Sequence, residues 1–179
     1  MAAGARDEGQ GAQRRVVVAL ASGEGVAYGR RLLERLRDTG VEAHLVLSRE
    51  AAGALGADLP STQALAGTVY AEENQAARIS SGSFLTRGMI IAPCDRLSVA
   101  AIVMGLATNL VYRAADVTLK EGRPLVLGVP APAFGRIPPD IRARAAEVPG
   151  LTLLSLPDQV DEAVDALLVQ MSLDSSTAA

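Results

Sequence analysis

Apolar runs alternate with helical repeats along most of the chain. RRVVVALAS is rich in β-branched residues and ends in small ones, and the following YGRRLLERLRDTG has leucines at helical spacing before a glycine. This pair predicts a strand, a turn and a helix. The same order returns in VEAHLVLS with REAAGALG and in GMIIAPC with DRLSVAAIVMGLA, where Asp95 is a good helix N-cap. Buried strands that alternate with helices indicate a parallel sheet.

The C-terminal part continues this alternation. LVYRAADVTLKEG predicts a helix that ends at Gly122, RPLVLGVPAP a fourth strand, Pro138 to Ala146 a helix, LTLLSL a fifth strand and DQVDEAVDALLVQM a closing helix. ADLPSTQALAGTVYAEEN predicts a long irregular surface connection. We therefore expect a single-domain α/β fold over residues 15–171, a doubly wound, Rossmann-like parallel sheet in three layers. The small polar segments at 1–14 and 172–179 predict disordered tails.

Composition narrows the class of protein. Cys94 is the only cysteine of the 179 residues, so no internal disulfide can form, and we expect a buried thiol in a reducing, cytoplasmic protein. A net charge of -3 with scattered arginines predicts no nucleic-acid partner. No apolar run approaches the roughly 20 residues that span a bilayer, and the N-terminal segment lacks the apolar centre of a signal peptide. With one His and one Cys, we expect no metal site.

Small and hydroxyl residues follow several predicted strands. Ligands of parallel sheets bind outside the carboxyl ends of the strands, where helix N-termini present free N–H groups. The segments to consider are Ser22–Gly25, Ser48, Ser81–Ser83 and Cys94–Ser98. The first turn, ALASGEGVAYG, is not G-x-G-x-x-G, and the second strand ends in Ser48 rather than in an acidic residue. This pattern argues against NAD and favours a smaller, mononucleotide-like ligand.

Two other polar residues lie within apolar segments. His44 is expected to pack inside the second strand. Arg113 is a lone cation in a segment of Ala, Val, Leu and Tyr, where a charge is expected to meet an anion.

Two strings carry a resemblance to a known family. SGSFLTRGMIIAPC and NLVYRAADVTLKEGRPLVL resemble the UbiX-type flavin prenyltransferases, members of the flavoprotein family that includes the homo-oligomeric flavin-containing cysteine decarboxylases. The resemblance covers roughly Val16 to Leu127. It implies a subunit that binds FMN, reduced or prenylated, in a homo-oligomer such as a trimer or dodecamer. It also implies transfer of a dimethylallyl group from dimethylallyl phosphate to FMN, and delivery of the product to a UbiD-type decarboxylase.

The resemblance and the sheet rule together give a set of candidate site residues. The family's catalytic serine falls on Glu24 when counted back from Tyr28, and on Ser22 when counted forward from the strand, so both are catalytic candidates. The expected flavin contacts are Ser22, Gly23, Glu24, Ser48, Ser81, Ser83, Asp95, Arg96, Leu97, Ser98 and Arg113.

The sequence departs from the family where the prenyl phosphate would be held. The family's Arg-Glu pair is missing near Pro130 and Ala131, the loop with a phosphate-binding Tyr is shortened, and Gln170 stands where an Arg is expected. The cations that could substitute are Arg87, Lys120, Arg123 and Arg136.

Three hypotheses follow from these losses. The chain is a flavin prenyltransferase with a remodelled donor site, an FMN-binding paralogue that has lost prenyl transfer and serves as a carrier or accessory subunit, or an oxidative decarboxylase of the cysteine type. Whether it is an enzyme therefore stays open at the level of sequence.

Overall fold

The sheet is parallel throughout and has six strands. A computed structural model describes residues 14–173. The strands are β1 (Arg15–Leu20), β2 (Glu42–Leu47), β3 (Thr68–Ala71), β4 (Met89–Ile91), β5 (Leu125–Pro130) and β6 (Leu151–Leu156), in the order β3-β2-β1-β4-β5-β6. The direction of winding reverses between β1 and β4, which places the switch point of the sheet there.

Helices cover both faces of this sheet. They are α1 (Val26–Asp38), α2 (Arg49–Leu55), α3 (Leu59–Gln63), α4 (Arg96–Val103), α5 (Leu110–Lys120), α6 (Ala131–Phe134), α7 (Pro139–Glu147) and α8 (Val160–Gln170). The predicted doubly wound, three-layer α/β architecture is confirmed. None of the helices in the described range is long and apolar enough to cross a membrane.

Alternate residues of β1 supply the two halves of the core. Val16, Val18 and Leu20 pack with α1 and α8 on one face, whereas Val17 and Ala19 pack with α4 and α5 on the other. Burial on both faces explains the continuous apolar run of this strand. A fully buried side chain of this size contributes roughly 1.5–3 kcal/mol, so the strands at the switch point are firmly held.

The connection after α2 corrects the sequence prediction. We expected an irregular segment and five strands, but the segment contains α3 and the edge strand β3, which pairs with β2 from Thr68 to Ala71. Only Tyr70 of the four β3 residues is buried, because β3 has a single neighbour in the sheet. A strand of four residues with one buried side chain shows no clear alternation of apolar and polar residues, so the sequence did not predict it.

The folded region extends further toward the C-terminus than the sequence predicted. Leu173 is buried and its N–H donates to the Leu168 carbonyl, while Arg87 donates to the carbonyls of Met171 and Ser172. The folded chain therefore continues past the predicted end at Met171. The remainder of both predicted tails lies outside the described residues.

Candidate functional site

A cleft of about 660 Å³ lies at the carboxyl edge of the sheet, over the switch point. Its lining comes from the segments that follow four neighbouring strands. In sheet order these are Glu50 after β2, Ser22 and Glu24 after β1, Asp95, Arg96 and Leu97 after β4, and Ala133 and Arg136 after β5. Small-molecule sites have volumes of roughly 300–1,000 Å³, so the cleft is large enough for a nucleotide-sized ligand.

The turn from β1 to α1 forms one wall. Ser22 is buried, and its Oγ accepts a hydrogen bond of 3.1 Å from the Glu24 N–H. Gly25 has a φ of 85°, in the left-handed region that favours glycine. A Cβ at Gly29 would lie 2.5 Å from Leu20 Cγ and 2.7 Å from the Ala92 carbonyl oxygen. These glycines let α1 begin directly against the sheet and bring the turn into the cleft.

Glu50 contacts this turn, and the sequence analysis did not single it out. Its Oε1 accepts a 3.0 Å hydrogen bond from the Gly23 N–H, which we had assigned to a ligand. Glu50 lies two residues after Ser48, the N-cap of α2, and an acidic residue in a first helical turn is common for local reasons. In the sequence, Glu50 therefore looks like an ordinary residue in the first turn of a helix, and nothing marks it as a site residue.

The turn from β4 to α4 forms the opposite wall. Asp95 accepts hydrogen bonds from the Ser98 N–H at 2.7 Å and from the Ser98 hydroxyl at 3.2 Å, which confirms the predicted N-cap. Ser98 also lies 3.1 Å from the Tyr112 hydroxyl, whose pKa is raised by burial. In residues 14–173, the N–H groups of Arg96 and Leu97 have no protein acceptor. They are free to bind a ligand.

Two guanidinium groups face the cleft without a carboxylate partner. Within the described range, neither Arg96 nor Arg136 forms an ion pair within 4.0 Å. Groups of three or more His, Cys, Asp or Glu side chains that could hold a metal ion are absent from the same range.

The other three candidate cations are engaged elsewhere. Lys120 pairs with Asp116 at 2.7 Å, Arg87 donates to carbonyls near the C-terminal end of α8, and Arg123 donates to the carbonyls of Gly82 and Phe84. Of the four candidate substitutes, Arg136 is therefore the one that the fold places in the cleft.

Several predicted site residues lie apart from the cleft within one copy of the chain. Ser48 is buried, caps α2 through a 3.1 Å bond from Ala51 N–H, and lines a separate pocket of about 190 Å³. Ser81 and Ser83 bond each other at 2.9 Å in the loop before β4. That loop lies at the amino edge, so our placement of these serines at the carboxyl rim is wrong. Arg113 is exposed on α5 and does not line the cleft.

Cys94 and His44 have structural surroundings. Burial raises the pKa of the Cys94 thiol well above its usual value, so the predicted buried thiol is confirmed and the thiol stays protonated. The Nδ1 of His44 lies 3.0 Å from the Tyr70 hydroxyl, the ring packs edge-on against Phe84, and burial lowers its pKa. The prediction that His44 packs within β2 is confirmed.

The lining of the cleft fits FMN by its chemistry. Leu97 and Ala133 provide apolar contact for a ring, Glu24 provides a hydrogen-bond acceptor for hydroxyl groups, and Arg96 and Arg136 provide cations for a phosphate. A ligand with a flat ring, a polyol and a phosphate would use all three kinds of group.

Comparison with known proteins identifies a family and several relatives of this chain. The Flavoprotein family model matches residues 5–136. The chain is 46% identical over 121 residues to a probable UbiX-like flavin prenyltransferase of Bacillus subtilis and 46% identical over 121 residues to flavin prenyltransferase UbiX of Escherichia coli K12. Each alignment covers 65% of this chain but only 59% and 64% of the relatives, so the match spans less than two thirds of their length.

Solved structures extend the likeness to most of the chain. AnUbiX (PadA1), crystallised with FMN and dimethylallyl pyrophosphate, matches with a TM-score of 0.80 and 34% identity over 90% of this chain and 94% of that one. A dodecameric FMN-dependent UbiX-like decarboxylase from Escherichia coli O157:H7 matches with a TM-score of 0.80 and 35% identity over 89% and 96%. The FMN-dependent cysteine decarboxylase TvaF, at 15% identity and a TM-score of 0.67, shares the fold. The resemblance to UbiX-type proteins stated from the sequence is thus confirmed, and the chain belongs to the Flavoprotein family.

Proposed function

We propose that the chain binds FMN in the carboxyl-edge cleft and acts as a UbiX-type flavin prenyltransferase. The observation that carries the proposal is the cleft itself. It lies at the switch point of a Flavoprotein-family sheet and combines a glycine-rich turn with N–H and guanidinium groups that have no partner among residues 14–173. The substrates are reduced FMN and a dimethylallyl phosphate ester, and the product would serve a decarboxylase of the UbiD type.

Residues of the cleft would have separate roles in binding the flavin and in prenyl transfer. Bound FMN in its reduced form would supply N5 and C6 as the ring atoms that accept the prenyl group. Ser22 positions the first turn, since its hydroxyl holds the Glu24 N–H. Glu24 has an exposed carboxylate in the cleft and would accept or return a proton at the ring. Leu97 and Ala133 would exclude water from the reacting atoms.

A homo-oligomer is part of this proposal. Leu97 lines the cleft at the start of α4, and Met104 and Leu106 follow the end of that helix; the three side chains are 69%, 54% and 52% exposed. Packing of neighbouring subunits would cover this apolar surface. The same packing of subunits could bring Ser81, Ser83 or Arg113 of another subunit to the flavin. The buried free thiol of Cys94 supports the predicted cytoplasmic location.

A second function is favoured by the acidic lining. Glu24, Glu50 and Asp95 bring three carboxylates to the cleft, and the family's Arg-Glu pair is absent near Pro130 and Ala131. Both features oppose the binding of a second phosphate beside FMN. The alternative is therefore an FMN-binding paralogue without prenyl transfer.

One experiment separates the two functions. The purified protein is incubated anaerobically with reduced FMN and dimethylallyl phosphate or pyrophosphate, and the flavin is analysed by mass spectrometry, with Escherichia coli UbiX as the positive control. Prenyl transfer predicts a flavin heavier by one dimethylallyl group. Bound but unmodified flavin would support the paralogue, and a protein that retains no flavin would contradict both.

A further inference from the structure

We infer that Glu50 is a positioning residue of the cleft: its carboxylate holds the Gly23 N–H and thereby fixes the turn that presents Ser22 and Glu24 to the ligand. The inference rests on the proposed function in one respect, since it takes that ligand to be FMN. Glu50 acts through the backbone of this turn rather than on the reacting atoms.

The sheet brings α2 and the turn after β1 together. β1 and β2 pair in parallel, with Leu20 opposite Leu47, and the Ser48 N–H extends the ladder by donating to the Leu20 carbonyl at 3.0 Å. The segments that leave the two strands therefore begin side by side. The Gly23 N–H donates to Glu50 Oε1 at 3.0 Å across 27 positions of the sequence. In the described chain, the Glu50 side chain makes no other hydrogen bond and no ion pair.

Gly23 packs directly against α2. A Cβ at this position would lie 3.1 Å from Glu50 Cγ, 3.2 Å from Glu50 Oε1 and 3.3 Å from Ala54 Cβ. Gly23 is not among the glycines with a positive φ, so its backbone conformation does not require glycine. The close approach of α2 accounts for the small residue, which the sequence analysis had assigned to contact with a ligand.

The helix that carries Glu50 is itself fixed. Ala51 is fully buried, and its N–H donates to the Ser48 hydroxyl at 3.1 Å. The Arg49 N–H donates at 2.8 Å to the carboxylate of Glu72, which follows β3. A positioning side chain needs such support, because site geometry must be held within about 0.5 Å.

A fixed Gly23 N–H constrains the side chains on either side of it. Because a peptide unit is planar, holding this N–H also sets the direction of the Ser22 carbonyl. The Ser22 hydroxyl accepts the Glu24 N–H at 3.1 Å, so both N–H groups are held before a ligand arrives. The Glu24 carboxylate, which the proposed function uses for proton transfer, is therefore presented from a fixed backbone. A displacement of about 1 Å at such a group can cost about 100-fold in rate.

A purely local role for Glu50 makes a different prediction. An acidic residue in the first turn of a helix is favoured by the helix dipole, and this effect depends on charge alone. Glu162 in the first turn of α8 has the same local setting. It is exposed and makes no side-chain hydrogen bond or ion pair among residues 14–173. Glu162 is therefore the matched control.

The test compares Glu50→Ala, Glu50→Gln, Gly23→Ala and Glu162→Ala in the full chain. Glutamine retains an oxygen that can accept the Gly23 N–H, so Glu50→Gln separates the hydrogen bond from the charge. Hydrogen–deuterium exchange of the Ser22–Gly25 turn is measured by mass spectrometry in the flavin-free protein. The dissociation constant for FMN is measured by fluorescence quenching, and kcat and KM are measured for prenyl transfer from dimethylallyl phosphate.

We expect Glu50→Ala and Gly23→Ala to speed exchange of the turn by about tenfold and to weaken FMN binding by roughly threefold to tenfold. Both should lower kcat by about tenfold, while KM for the prenyl donor changes by less than about twofold. Glu50→Gln should stay within about threefold of the parent protein, and Glu162→Ala should match it. The double variant should be no worse than Glu50→Ala, because both substitutions remove the same bond.

Two controls keep this comparison interpretable. Glu50 and Glu162 are exposed, so unchanged thermal unfolding will show that their variants fold. If Gly23→Ala does not fold, the two Glu50 variants decide the question alone. Equal losses in Glu50→Ala and Glu50→Gln would overturn the inference, because charge rather than the hydrogen bond would then matter. Unchanged exchange in Glu50→Ala, or faster exchange with unchanged FMN affinity and kcat, would also overturn it.

Failure of the proposed function gives a different result. If the parent protein binds no flavin, that function is wrong, and exchange of the turn then decides the inference. Faster exchange in Glu50→Ala but not in Glu50→Gln would support it, and equal exchange in the two variants would overturn it. If the parent protein binds FMN without prenyl transfer, FMN affinity is judged in place of kcat by the same comparison.

Discussion

The arginines at the two edges of the sheet have opposite surroundings. At the amino edge, Arg123 donates to the carbonyls of Phe84 and Gly82 at 3.0 and 2.8 Å, and Arg87 donates to carbonyls at the end of the chain's last helix. At the carboxyl edge, Arg96 and Arg136 have no ion-pair partner among residues 14–173. The comparison teaches that the same side chain holds loops together at one edge and is available to a ligand at the other.

Serine-containing turns show the same contrast. Ser81 and Ser83 bond each other in the loop that leads into β4, whereas Ser22 and Ser98 support turns that leave β1 and β4. All four serines lie in short segments that contain a glycine or border a helix. What separates them is whether the segment enters or leaves a strand, because the turns that leave β1 and β4 lead directly into helix N-termini, which present free N–H groups.

The largest expected effect tests how closely the carboxyl edge is packed. Gly29→Ala would push a methyl group against Leu20 and the backbone of Ala92, so α1 must move away from the sheet. We expect a loss of about 3 kcal/mol or more in the free energy of unfolding, measured with urea. Gly53→Ala is the control, because a Cβ at that exposed position in α2 meets nothing within 4 Å and should add up to about 1 kcal/mol. Equal stability of the two variants would contradict the packing argument.

The next effect separates the two kinds of arginine. Arg123→Gln removes a charged donor from two carbonyls, and we expect its main effect to be a fall of about 2 kcal/mol in the free energy of unfolding. Arg136→Gln should change stability by less than about 0.5 kcal/mol. Urea unfolding and flavin titration of both variants measure the contrast. If both arginines affected the same property, the distinction between the edges would be lost.

The smallest effect is a pH dependence at the amino edge. Burial lowers the pKa of His44 in the folded protein, beside Tyr70, Glu42 and the cations Arg15 and Arg78. The unfolded chain then takes up the proton more readily, so stability falls as the pH drops below the ordinary value of about 6.5, by at most about 1.4 kcal/mol per pH unit. His44→Gln should flatten this slope in urea unfolding between about pH 5 and pH 8. Parallel profiles for the two proteins would show that His44 does not titrate as argued.

Local signals in the sequence were enough for most of the fold. The Asp95 cap, the glycine after α5 and the leucines of α1 each depend on neighbours within a few residues, and these features were predicted. β3 was missed because an edge strand of four residues has no continuous apolar run.

For a related reason, the sequence predicted only part of the site. The turns after β1 and β4 were found from their own residues. Glu50 was not predicted, and Arg136 was one of four candidate cations among which the sequence did not choose, because each reaches the cleft through the order of strands rather than through its neighbours in sequence. Ser81 was placed at the wrong edge because small residues look alike before and after a strand.

The path of the backbone has a practical consequence. Arg14 and Leu173 both lie at the amino edge of the sheet: the Arg14 carbonyl accepts a hydrogen bond from the Glu42 N–H at the start of β2, and Leu173 follows the carbonyls that Arg87 holds. Both points lie on the side away from the cleft. A linker or surface attachment joined at either point would therefore present the ligand opening to the surrounding solution, which suits the protein to immobilised binding assays.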